Sequence, residues 1–141
     1  MAQAAEPEEE ATAEIIHLQL KPFRLPLVGS NHEIAVTVFL LPVDQHNLYD
    51  ICKYQAKLRD VVLVEGFKNP IAIADDGSLD LVGFATRLKP LFNTAVGGQV
   101  IDSVIAVPGE IGEDLTEPLT EPDIPMPRVC SRIEFREKRI K

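Results

Sequence analysis

His17, His32 and His46 are the side chains best suited to move protons near neutral pH, so they are the first candidates for chemistry. They fall in a strand, a turn and the start of a helix, and none has a carboxylate or cysteine at metal-ligand spacing. Cys52 and Cys130 are 78 positions apart, without CxxC spacing and without a nearby histidine pattern, which argues against zinc. Cys52 falls on the apolar face of a helix, where a thiol serves as a small hydrophobe. A disulfide between the two needs an exported protein and a geometry that spacing cannot supply, so whether they pair stays open.

Asp75-Asp76-Gly77-Ser78 has some calcium-loop residues but lacks the alternating acids and the closing Glu; a turn with a helix cap is expected instead. Gly97-Gly98 follows a helix and precedes a strand, the wrong order for a phosphate cradle. Glu33, Asp60 and Asp102 cannot be paired from spacing. No GxSxG, HExxH or GxxxxGK[ST] motif occurs. The chain is therefore expected to be no enzyme, with no catalytic, cofactor-binding or metal-binding residues.

The run Ala56-Lys57-Leu58-Arg59-Asp60-Val61-Val62-Leu63 has a different character. At helical spacing Leu58, Val61 and Val62 share one face, while Lys57, Arg59 and Asp60 point elsewhere. The three apolar residues read as core; Lys57, Arg59 and Asp60 are the candidates for touching a partner.

The elements that must position this run follow from periodicity. Ile15–Val28 reads as a strand with a fault, because Ile16, Leu18 and Leu20 share one parity and Phe23, Leu25 and Leu27 the other. The phase change at Lys21-Pro22 predicts a bulge or kink. After a turn at Gly29–His32, the apolar β-branched run Glu33–Val43 predicts a strand covered on both faces, forming an antiparallel hairpin with the first. Asp44 is the expected N-cap of a helix that runs to about Leu63, with Leu48, Ile51, Cys52, Gln55, Leu58, Val61 and Val62 inward and Gly66 just past its end. Ser78 is expected to cap a second helix over Leu79–Ala95. Its inner face would hold Leu81, Val82, Ala85, Leu88, Leu91, Phe92 and Ala95, with Pro90 kinking or dividing it and Gly97-Gly98 ending it. Val100–Val107 predicts a third strand. Beyond Pro108, Leu-Thr-Glu-Pro occurs twice in succession, an extended acidic linker. Alternation from Val129 to Phe135 then predicts a late strand that returns to its own sheet or pairs with a neighbour's.

Four segments result: an acidic disordered 1–14, an α+β domain over 15–108, an acidic Pro-rich linker over 109–127, and a basic strand or tail over 128–141. The 141 residues are 45% hydrophobic and only 6% aromatic, so an aliphatic core is expected. Net charge is −8, carried by the extensions: residues 1–14 hold five Glu and 109–127 six acids, while 128–141 hold six bases and two acids. This balance excludes a broad basic surface for nucleic acid. The basic end could meet anionic lipid or an acidic partner, but a solvated tail or a counter-charge to the linker is the expectation. No apolar run reaches the ~18–20 residues needed to span a bilayer, and the acidic opening is unlike a secretory signal.

The order of these segments resembles the periplasmic domain of the FliL family, the flagellar basal-body-associated proteins of the bacterial inner membrane. The resemblance is carried by Leu20-Lys21-Pro22-Phe23-Arg24-Leu25-Pro26-Leu27, by Ile34–Val43, by Lys57-Leu58-Arg59-Asp60-Val61-Val62-Leu63, by the helix Leu79–Ala95, and by Gly97-Gly98-Gln99-Val100-Ile101-Asp102-Ser103-Val104-Ile105. It covers about 15–107. It implies a non-catalytic α+β domain similar to stomatin and prohibitin domains: a small antiparallel sheet with two helices on one face, in the order β-β-α-α-β plus a C-terminal strand. It also implies self-association and support of the flagellar stator or basal body in motility, with helix 45–63 and strand 100–107 at the contacts. The expected location is the periplasmic face of the inner membrane for a chain cut from an anchored protein, and cytoplasmic with Met1 as native start. The alternative is an accessory or adaptor domain unrelated to motility, binding its partner through the Pro/Glu linker and the C-terminal strand.

Overall fold

A computed structural model of the chain describes residues 16–29, 31–111 and 127–130. The expectations for segment 1–14, for most of the linker and for the tail beyond Cys130 lie outside the described residues. The strands are β1 (His17–Gln19), β2 (Phe23–Pro26), β3 (Glu33–Pro42), β4 (Ile101–Pro108) and β5 (Pro127–Val129). A short 3-10 turn, Gln45–Asn47, leads into helix α1 (Leu48–Cys52); α2 (Gln55–Lys68) and α3 (Leu81–Val96) follow. The fold is thus α+β, and the described residues form a five-stranded sheet and three α-helices. Among the described residues no helix is long and apolar enough to cross a membrane.

β3 is the centre of the sheet. β4 pairs with one side of it antiparallel, from Val36↔Pro108 to Pro42↔Ile101. β1 and β2 share the other side, also antiparallel, and β5 lies parallel to β1, beyond it. The sheet is therefore mixed, which corrects the expected antiparallel one: the chain reaches β1 from a distant segment, and β5 enters in the direction of β1 itself. The late strand returns to its own sheet.

The fault at Lys21-Pro22 is a one-residue bulge. Leu20 N–H donates to Val38 O at 3.0 Å, and Phe23 faces Val36, so Lys21 and Pro22 stand opposite the single Thr37. The extra residue moves the pleat by one and keeps Leu18, Leu20, Phe23 and Leu25 all buried on one face. Pro22 lacks an N–H, and the bulge is where the ladder can spare one.

That face packs under the helices. Val36, Val38 and Leu40 of β3 meet Leu58 and Val62 of α2 and Leu81, Phe84, Leu88 and Phe92 of α3 in one apolar core, in which Phe23, Phe84 and Phe92 join the expected aliphatic residues. β3 is covered on its other face too, where Phe39 is buried with Val107 and partly with Ile105 and Ile111. A run of ten residues that reads as apolar throughout is the signature of such a doubly covered strand.

The helices differ from expectation at their ends. Asp44 does cap, its carboxylate accepting from His46 N–H at 2.9 Å, but it caps the 3-10 turn. The helical run then breaks at Lys53-Tyr54, and α2 continues to Lys68 rather than stopping at Leu63. Gly66 is inside α2, where a Cβ would lie 2.8 Å from Leu25 Cδ2; the missing side chain lets the helix approach β2. The helix stops before Asn69-Pro70, as the residue preceding a proline favours. The cap of α3 is Asp80, whose carboxylate accepts from Gly83 N–H at 2.9 Å, and not Ser78. Ser78 instead bonds Asp76 across the Gly77 turn. α3 runs unbroken through Pro90 and ends at Gly97 in the left-handed conformation, with Gly97 and Gly98 N–H both on Asn93 O.

Candidate interaction surface

α2 carries apolar residues on its inner and its outer side. Leu58 and Val62 are fully buried, and Glu65 and Gly66 complete the inward stripe. One helical face further round, Leu63, Val64 and Phe67 are exposed, Val64 and Phe67 by more than half. A helix facing water on one side ordinarily presents polar residues there, so an apolar outer stripe calls for a cover.

Beside this stripe α2 and α3 enclose a groove of about 400 Å³. Val61, Val64, Leu91 and Ala95 supply its apolar lining, and Lys57, Asp60 and Lys68 stand along it. The two helices are clamped at one end of the groove by a polar network. Arg87 Nε donates to Glu65 Oε2 at 2.8 Å, Asn69 Nδ2 donates to the same oxygen at 3.1 Å, and Arg87 Nη2 donates to Asn69 O at 3.0 Å. Glu65 is nearly buried, and these donors satisfy its carboxylate oxygen. The groove walls are consequently held in place before any partner arrives.

Of the three residues singled out by sequence, the structure brings Lys57 and Asp60 together on this groove. Arg59 goes elsewhere. Its Nη1 donates to Lys21 O at 2.8 Å and its guanidinium lies 4.4 Å from the centre of the Phe23 ring, so it straps α2 onto the β1–β2 bulge. Val61 is only half buried, and Leu91 and Val82, expected inside, are 39% and 80% exposed. The inward stripe of α3 is Leu81, Phe84, Ala85, Leu88, Phe92 and Asn93, with Phe84 and Asn93 unforeseen. Val64 and Phe67 were hidden from sequence reading because Gly66 resembled a stop; the Asn-Pro pair was the signal that the helix went further.

The chemistry-bearing groups stay apart. His46 Nδ1 lies 2.9 Å from Asp44 Oδ1, on an open corner where both side chains are mostly exposed. Hydrogen bonds from the His46 backbone and then its side chain hold the Asp44 carboxyl below its ordinary range. Asp76 is lowered likewise, by the Ser78 hydroxyl and then its N–H. Among the described residues no three His, Cys, Asp or Glu side chains gather as a metal site.

Cys52 and Cys130 form a disulfide, with Cα atoms 5.6 Å apart. Cys52 sits at the end of α1 and Cys130 directly after β5, so the bond ties the returning strand to the helical layer. This replaces the reading of Cys52 as a simple buried thiol: the return of β5 to β1 brings two distant residues to bonding distance. No family model, no curated protein and no solved structure matches this chain.

Proposed function

We propose that the domain is a non-catalytic interaction module of the FliL kind, which self-associates and uses the outer face of α2 to hold a protein partner of the flagellar stator or basal body. The observation that carries this reading is the exposed stripe of Leu63, Val64 and Phe67 beside a preformed apolar groove. The occupant that fits is an amphipathic helix of a partner protein. Its apolar ridge would lie on Val61, Val64 and Leu91, with charges of both signs to meet Lys57, Asp60 and Lys68. The packing of α2 and α3 over one sheet face is in keeping with this role. The Cys52–Cys130 bridge supports an oxidising compartment such as the periplasm.

The adaptor reading asks the C-terminal strand to pair with another chain. Pro127–Val129 already pair with β1 and are tethered through Cys130, which favours the first reading.

The test is a strain carrying Val64→Asp with Phe67→Asp at unchanged protein level. Both side chains are exposed, so the fold is expected to persist while swimming declines and a photo-crosslink from position 60 to a stator or basal-body protein disappears. Normal swimming with the crosslink retained would sink the proposal.

A further inference from the structure

Among the described residues β4 forms a bare edge of the sheet. β4 pairs with β3 on one side, and among the described residues no strand lies on the other. The chain leaving β4 turns away from that edge. Gly109 N–H donates to Ala35 O at 2.7 Å, Ile111 N–H to Thr37 Oγ1 at 3.1 Å, and Gln19 Nε2 to Ile111 O at 3.1 Å, so residues 109–111 cross over β3 towards β1.

The Gly109–Ala35 bond also fixes which backbone groups the edge offers. Antiparallel pairs alternate between bonded and non-bonded, so Val107, Ile105 and Ser103 bond β3, and the N–H and C=O groups of Val104 and Ala106 point outward; the alternation ends at Asp102, where the register shifts by one residue. From Ser103 to Val107 the edge has no lysine, proline or bulge, the devices that keep a strand from pairing further. Alongside it runs an uncharged groove of about 410 Å³ between β4 and α3, lined by Val104, Ala106, Leu81, Ala85, Thr86 and Val82. Val82 is the most exposed large apolar side chain described.

Resting on the reading that the domain self-associates, we infer that its self-contact is β4 against β4 of a second copy, antiparallel about a two-fold axis near Val104–Ile105. The sheet then runs on across the dimer, and the two α3 helices meet through Val82. The charge on β4 selects this occupant and this direction. Asp102 is the strand's sole charged residue and lies at its start. Antiparallel pairing places the two Asp102 carboxylates at opposite ends of the seam, roughly 15 Å apart by strand rise; parallel pairing would set them side by side. Groove meets groove with no charge buried in either, and the isologous contact removes the bare edge from both copies at once.

Two measurements on the full chain decide it: sedimentation equilibrium, and amide hydrogen exchange at Val104 and Ala106 over a hundredfold concentration range. Protection of these two amides is expected to rise with the dimer fraction. Ala106→Pro removes an N–H that faces solvent in the single copy, and Val82→Lys places a charge on an exposed side chain. Each is expected to raise the dimer dissociation constant at least tenfold, and the second keeps the test open if the proline disturbs folding. A dimer whose constant neither variant moves, with exchange at the two amides independent of concentration, overturns the β4 contact and leaves the self-association reading standing. A monomer at every concentration overturns both. Protection that arises only on adding an unrelated Val/Ala-rich peptide puts a foreign strand in place of the second copy, and also overturns the inference.

Discussion

The two edges of the sheet are built by opposite means. On the β1–β2 side β5 lies along β1, and Ile71 bridges Leu27, donating to Pro26 O and accepting from Val28 N–H. A disulfide between residues 78 positions apart holds β5 there. On the β4 side no strand among the described residues lies beyond the edge. What fastens β4 is internal: its ladder to β3, and Asn93 of α3, which is 3% exposed and grips Ile101 at both backbone groups, its Oδ1 accepting at 2.9 Å and its Nδ2 donating at 3.2 Å. An edge that is anchored from within and bare outside is available without being loose. An edge covered by a tethered three-residue strand is closed.

The contrast can be broken first at the disulfide. Closing a loop of this length restricts the unfolded chain by about 4 kcal/mol in the entropic account. Cys52→Ala with Cys130→Ala is therefore expected to lower the midpoint of thermal unfolding by on the order of 10 °C. Amide exchange should show β5 leaving β1 while β4 stays protected. Equal loosening at both edges would mean the bond stabilises the whole domain rather than one side of it.

Next is the internal anchor of the bare edge. Asn93→Leu leaves the N–H and C=O of Ile101 buried without partners, a cost of about 2–3 kcal/mol, measurable by urea unfolding. The first residues of β4 should lose exchange protection and β5 should keep its own. Asn93→Asp, which can still accept from Ile101 N–H but no longer donates, should fall between wild type and leucine.

The groove between α2 and α3 ranks third. Arg87→Met removes the guanidinium from nearly buried Glu65, and about 1–2 kcal/mol is expected, below the cost for a fully buried pair because Arg87 is 39% exposed. Stability and partner binding at the groove should fall together, with neither sheet edge affected.

The smallest effect is at the turn beyond Ile71. The Asp76 carboxyl sits below its ordinary range because Ser78 donates to its charged form, so this contribution is present above the usual aspartate pKa and is lost as pH falls through the lowered value. Carboxyl chemical shifts followed through acid titration should show Asp76 protonating below a free aspartate, and Ser78→Ala, which removes the hydroxyl but keeps the N–H donor, should raise it part of the way back.

Much of the helix-facing layer was legible before any coordinates. The parity switch across Lys21-Pro22 could only be reconciled with one buried face by an extra residue, and the bulge is there. The doubly apolar run at β3, the Gly97-Gly98 stop and the inward turn of Leu58 and Val62 follow from period alone. Helix ends were less legible, because caps compete locally: Asp80 and Ser78 are both good N-caps, and only the packing of Leu81 and Phe84 chooses between them. The break at Lys53-Tyr54 has neither Gly nor Pro to announce it. At the candidate surface, Lys57 and Asp60 were found by pattern, while Val64 and Phe67 were lost behind Gly66, a residue kept small by contact with Leu25 rather than by a turn.

By itself the sequence determined the α+β class, the strand and helix periods and the fault in the first strand, since each is a local consequence of side-chain spacing on a regular backbone. Tertiary structure alone decided that Cys52 meets Cys130, that Asn93 closes on Ile101, and that one edge of the sheet is covered while the other is bare. Those are contacts between residues brought together by the path of the chain, and nothing in the local order of residues encodes which edge a distant strand will reach.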